Sequence, residues 1–159
     1  MEKTRWLDAE EQRAWRAYLD TTRLLIRALD QQLQADADIS FADYETLVIL
    51  SEAPDRRMRM RDLAEAALAT RSGTTRAVTR LELLGWVRRV ECEDDRRGTH
   101  AELTPAGAAK LAETAPGHVE AVRTHLFDRL TGDQVRQLGG MFGRVSESLS
   151  RPGATVRGG

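Results

Sequence analysis

Six polar residues, Arg71, Ser72, Thr75, Arg76, Thr79 and Arg80, fall in pairs at a spacing of four, which puts all of them on one side of an α-helix. Three guanidinium forks and three small hydroxyls suit the major groove of DNA. Arginine pairs with guanine edges and phosphates, and small side chains let a helix backbone sit deep. An ordinary solvated helix face has the same composition, so the neighbouring segments decide between the two. The polar stretch Cys92-Glu93-Asp94-Asp95-Arg96-Arg97-Gly98 lies between two runs of strand character, Val87 to Glu91 and Thr99 to Leu103. A ribbon with arginine at its tip can reach the minor groove beside such a helix.

The elements that must hold these groups are legible on either side. Ala77, Val78, Leu81 and Leu84, with Thr74 at the N-terminal end, form the apolar stripe opposite the polar face. Thr70 has the hydroxyl of an N-cap, and Gly85 can take the left-handed conformation that ends helices before Trp86 and Val87 begin an extended run. A preceding short helix is read from Met60, Leu63, Ala64, Ala67 and Leu68. Two helices, a tight turn and a ribbon describe one architecture, which favours the groove-reading face over the solvated one.

The segment DLAEAALATRSGTTRAVTRLELLGWVRR followed by DDRRGTHAELTPAGAAKL resembles the winged helix-turn-helix of the MarR family of bacterial transcriptional regulators. The family's Asp-x-Arg wing motif falls on Asp95 and Arg97, and its Leu-Thr before a glycine-containing helix start falls on Leu103-Thr104-Pro105-Ala106-Gly107. The resemblance implies a homodimer with interlocking terminal helices, binding a pseudo-palindrome in double-stranded DNA. It places Arg97 in the minor groove and has Asp95 orient an arginine nearby. It also implies a small-molecule effector, a planar aromatic acid for instance, between the dimer helices and the DNA-binding lobe. Trp15, Tyr18, Arg23, Tyr44 and His118 are the candidates for that pocket. Thr74 departs from the family, whose members carry an aliphatic residue there, which implies looser packing at the start of the reading helix.

Length and composition set the frame. A chain of 159 residues, 41% hydrophobic but only 5% aromatic and 31% charged, can bury one core and must be helical and heavily solvated. We therefore expect a mainly α fold with a small β-wing over residues 1–159. Residues 41–104 form the winged helix-turn-helix, 1–40 and 105–150 the dimerisation helices, and 151–159 a frayed tail. The net charge of −1 conceals a division along the chain. Residues 1–50 carry 6 basic and 10 acidic groups, residues 51–89 carry 9 and 5, and residues 90–159 carry 9 and 10. Positive charge thus collects at the reading head, where Arg56, Arg57, Arg59, Arg61, Arg88 and Arg89 could flank the helix with phosphate contacts.

The outer helices are read from Trp15, Leu19, Leu24, Leu25, Ala28 and Leu29; from Phe41 to Ala53 through Tyr44, Leu47, Val48 and Leu50; and from Leu111, Val119, Val122, Leu126 and Phe127. Pro116-Gly117 predicts a kink or break in the third. A last helix carries Val135, Leu138, Met141, Phe142, Val145 and Leu149, with Gly139, Gly140 and Gly143 permitting close approach of a partner. The three histidines, His100, His118 and His125, lack the further ligands of a metal site, and no phosphate loop or nucleophile-base pair stands out. We expect no metal, no cofactor and no enzymatic activity. One cysteine, Cys92, excludes an internal disulfide; acidic neighbours oppose its thiolate, so it is read as an incidental thiol. Without an apolar run of about 20 residues or a signal core, no membrane partner and a cytoplasmic location are expected. The alternative from another class is a winged-helix protein-interaction module that does not read DNA.

Overall fold

The structure, a computed structural model, describes residues 4–91 and 98–150. Cys92, Asp95 and Arg97 at the wing tip and the tail expected at 151–159 lie outside the described residues. The chain divides into two compact units, Met1–Ala121 and Val122–Gly159.

In the first unit, α1 (Ala9–Ala37) opens with a capping box: the Asp8 carboxylate accepts from the Glu10 and Glu11 amides, and the Glu11 carboxylate accepts from the Asp8 amide. It ends where Asp38 turns left-handed, and among its residues only Leu29 and Leu33 are buried. Trp15 and Leu24, expected on its apolar stripe, are exposed in the single chain. Helix α2 (Phe41–Glu52) is capped by Ser40 and buries Tyr44, Leu47 and Leu50. The Asp30 carboxylate accepts the Phe41 amide at 2.8 Å, which ties the end of α1 to the start of α2.

Helix α2 closes at its C-cap Ala53, just before Pro54, which cannot continue it. A turn through Asp55 and Arg56, both at φ 54, then leads into a strand that the sequence pattern does not suggest, β1 (Arg57–Arg59). Next come α3 (Met60–Ala66), α4 (Arg71–Leu83), β2 (Val87–Glu91) and β3 (Thr99–Leu103). The sheet is antiparallel with order β1-β3-β2, and Ala101 of β3 faces Met58 on one side and Arg89 on the other. The core gathers Leu33, Leu47, Leu50, Leu63, Val78 and Leu81 against Val87 and Leu103 of the sheet.

Two leucines depart from the expected stripes. Helix α3 closes at Ala66, and Leu68 sits in the α3–α4 turn at φ 49 with 95% of its surface exposed. Leu84 is the C-cap of α4 and is 54% exposed, because the chain has already begun to leave the helix there. The exit is a Schellman turn: the Gly85 amide bonds the Glu82 carbonyl, the Trp86 amide bonds the Leu81 carbonyl, and Gly85 has φ 75. Helix α5 (Pro105–His125) runs through Pro116 without the break that Pro-Gly suggested. Ala112, whose carbonyl loses its partner at Pro116, is exposed, so water can satisfy it.

Helix α5 ends within the second unit, and a 3-10 turn (Phe127–Arg129) takes up Phe127, the last residue of the expected stripe. Helix α6 (Gly132–Ser150) has no buried residue. Its stripe is present as read, yet Val145 and Leu149 are 54% and 73% exposed. Apolar side chains aligned on one helix face and left open are what a partner surface would cover. No described helix is long and apolar enough to cross a membrane.

Candidate nucleic-acid interface

Helix α4 is built to show one face. Thr70 accepts the Gly73 amide at 3.0 Å and starts it; Ala77, Val78 and Leu81 anchor it in the core. Arg71, Ser72, Thr75, Arg76, Thr79 and Arg80 all emerge on the open side, as their spacing requires. Thr74 is buried at 4% exposure and its hydroxyl has no hydrogen-bond partner. A polar group thus occupies a core position with its bonding unfulfilled, a cost that an aliphatic residue would avoid.

The six exposed residues are not equally free. The guanidinium groups of Arg71 and Arg76 have no ion-pair or hydrogen-bond partner among the described residues. Thr75 and Thr79 donate their hydroxyls back to the carbonyls of Arg71 and Thr75, at 2.9 and 2.8 Å. Arg80 is held in a fork by Asp43 of α2: its Nη2 meets Oδ1 at 2.7 Å and its Nε meets Oδ2 at 3.2 Å. That hydrogen bond raises the guanidinium pKa, against a smaller effect of burial.

The wing is tied to the same helix. Arg89 of β2 donates its backbone amide and one guanidinium nitrogen to the Glu82 carboxylate, and a second nitrogen to the Thr79 hydroxyl at 3.0 Å and the Thr75 carbonyl at 3.3 Å. Arg88 pairs instead with Glu102 across the β2–β3 ladder. Both arginines were expected to be open to phosphates; in the protein each is engaged with a carboxylate. Between the start of α4 and the base of the wing, Arg59, Arg61 and Arg71 line an open cleft of about 310 Å³ with Thr75 and Thr99. Arg61 also bonds its neighbour Asp62.

The candidates for a small-molecule pocket separate into two groups. Trp15 and Tyr18 stack on α1 with ring centroids 5.9 Å apart, and Arg23 pairs loosely with Asp20 at 3.8 Å. Tyr44 and His118 meet at 4.6 Å, with Phe41 at 6.1 Å from the imidazole. Burial lowers the His118 pKa and raises that of Tyr44, the latter with help from Glu45. The His118 Nδ1 and the Gln32 Oε1 are buried with no hydrogen-bond partner. Asp43, Glu82 and Gln32 escaped the sequence reading. Asp43 stands three residues past the Ser40 cap, a position favoured for an acid, but its partner is 37 residues away and nothing local points to it.

Residues 37–98 match the model of the MarR family. The chain is 30% identical over 115 residues to the HTH-type transcriptional repressor YetL of Bacillus subtilis, covering 70% of this chain and 69% of that one. Among solved structures it resembles Sco3205, a MarR family transcriptional regulator from Streptomyces coelicolor in complex with DNA, at 48% identity and a TM-score of 0.89 over 98% of both chains. AbsC, another MarR family regulator of that organism, is 42% identical with a TM-score of 0.83, over 92% of this chain and 98% of that one.

Proposed function

Given that this chain belongs to the MarR family, we propose that it is a homodimeric transcriptional regulator, a repressor, that binds a pseudo-palindromic site in double-stranded DNA. The observation that carries the reading is the open face of α4, where the guanidinium groups of Arg71 and Arg76 stand unpaired among the described residues, beside Ser72 on a helix pinned from behind. On this reading residues 41–104 are the reading head and the terminal helices, within 1–40 and 105–150, supply the dimer. Arg76 reaches base edges. Arg97, with Asp95 to orient an arginine beside it, serves the minor groove at the wing. The arginine-lined cleft takes backbone phosphates, and the protein works in the cytoplasm without an enzymatic step of its own.

A small-molecule effector releases the DNA. The Tyr44–His118 pair supports this part, since it offers an aromatic wall and an unpartnered ring nitrogen. Such a molecule acts by favouring a different spacing of the two heads, because a dimer needs half-sites about 34 to 36 Å apart or a multiple.

Selection of bound duplexes from random DNA by the purified protein tests the core of the reading. A motif with two-fold symmetry is the expected outcome. Arg76→Ala should then cost about 1 to 3 kcal/mol and relax preference at one position per half-site. Arg97→Ala should weaken binding to many sequences and flatten its dependence on salt. If no motif is enriched, the fold serves as a protein-interaction module instead, and the exposed leucines at the end of α4, Leu83 and Leu84, become its first candidates.

A further inference from the structure

Arg80 shares the open face of α4 with Arg76, one turn away, and its type alone would make it a second reader of bases. Its surroundings say otherwise. The Asp43 carboxylate, on a residue only 8% exposed, accepts both Nε and Nη2 of Arg80. A guanidinium reads guanine through a two-donor fork, and one such edge of Arg80 is occupied by the carboxylate. Turning Arg80 toward DNA would leave that carboxylate buried without its partner, which is far costlier than losing an exposed pair. Asp43 itself cannot follow, because it lies in the first turn of α2, its own amide held by Ser40 at 3.1 Å. On the other flank α4 is held by Arg89 through Glu82 and Thr79.

Building on the DNA-binding reading above, we infer that Arg80 is a positioning residue: its fork on Asp43 fixes the pose of α4 against α2, so that Arg71, Ser72 and Arg76 meet the groove in register. Arg80 contributes to affinity for every sequence alike and to preference for none.

The experiment measures binding of Arg80→Met, Asp43→Asn and the double variant to the selected operator and to each of its single-base variants. Thermal unfolding of each protein sets a temperature at which all are folded. Each single substitution should weaken binding on the order of tenfold, by the same factor on every duplex. The double variant should be no weaker than the worse single one, since both remove one coupling. Asp43→Asn keeps the shape and carries the test by itself if Arg80→Met fails to fold. A strut and a reader predict opposite results for it. Freeing a base-reading Arg80 would leave binding intact or strengthen it, and Arg80→Met would erase preference at one position. Either result overturns the assignment, as does a substitution that lowers the melting temperature but leaves operator affinity unchanged. Wild-type protein that selects no motif would instead overturn the DNA-binding reading, and this inference with it.

Discussion

Gly107→Ala should be among the most damaging single-methyl changes in the first unit. A Cβ at Gly107 would lie 2.1 Å from the Trp86 carbonyl oxygen and 2.7 Å from Leu103 Cδ1. Relieving the first contact requires a shift of about 1.3 Å to reach ordinary van der Waals separation. The Trp86 carbonyl is not free to make it, because it accepts the Thr104 amide at 3.0 Å. The Thr104 hydroxyl is committed as well, donating to the Gly85 carbonyl and accepting the Gly107 amide. Overpacking costs about 1 to 3 kcal/mol and a strained backbone bond about 1 more, while alanine returns at most about 1 kcal/mol in helix propensity. The net loss is about 1 to 3 kcal/mol. For a chain of 159 residues that is a fall of roughly 2 to 12 °C in melting temperature. Thermal unfolding followed by circular dichroism reads it directly. A variant as stable as the parent, or more so, would mean that α5 can lift off the Gly85–Trp86 corner, and the argument from close approach would be wrong.

Thr70→Ala removes the acceptor for the Gly73 amide and should cost about 1 kcal/mol in chemical denaturation. His118 gives a pH dependence with a definite sign. Burial lowers its pKa from 6.5 in the folded chain, so the unfolded chain binds the proton more readily. Stability is therefore full above pH 6.5 and declines as pH falls below it toward the folded value, and His118→Phe should flatten that slope in melting curves between about pH 7.5 and pH 5. Val145→Glu with Leu149→Glu places two charges on the open stripe of α6. Light scattering should then find monomer where the parent is a dimer, and a double variant that remains a dimer would remove α6 from the interface.

What was legible in the sequence was local. The Thr70 cap, the α4 stripe through Leu81, the Gly85 exit and the limits of β2 and β3 each depend on neighbours within a few residues, and each stands where the pattern put it. Strand β1 depends on β3, whose residue Ala101 pairs with Met58 across 43 positions, and three residues carry no alternation to see. Leu68 kept the helical spacing after the backbone had left the helix, and Leu84 lies at the C-cap of α4, so periodicity counted them inside when both are exposed. The six-residue face of α4 was read correctly as a face. Its division into open and tethered arginines was not, because Asp43 and Arg80 meet only through the packing of α2 on α4.

Helix α1 is 29 residues long, about 43 Å, and its anchors in the described chain, Leu29, Asp30, Leu33 and Ala37, lie near its end. A helix of which most lacks tertiary support is marginal in water despite a good cap. Its first two-thirds therefore gain order from whatever covers Trp15, Leu24 and Ile26, which are exposed in the single chain. If that cover is a second copy, folding of this segment follows mass action: helicity rises with protein concentration, and dilution melts the N-terminal arm before the rest of the chain. The cellular dose of the protein would then set how much of it is fully folded, and a few-fold change in expression would be felt first by this helix.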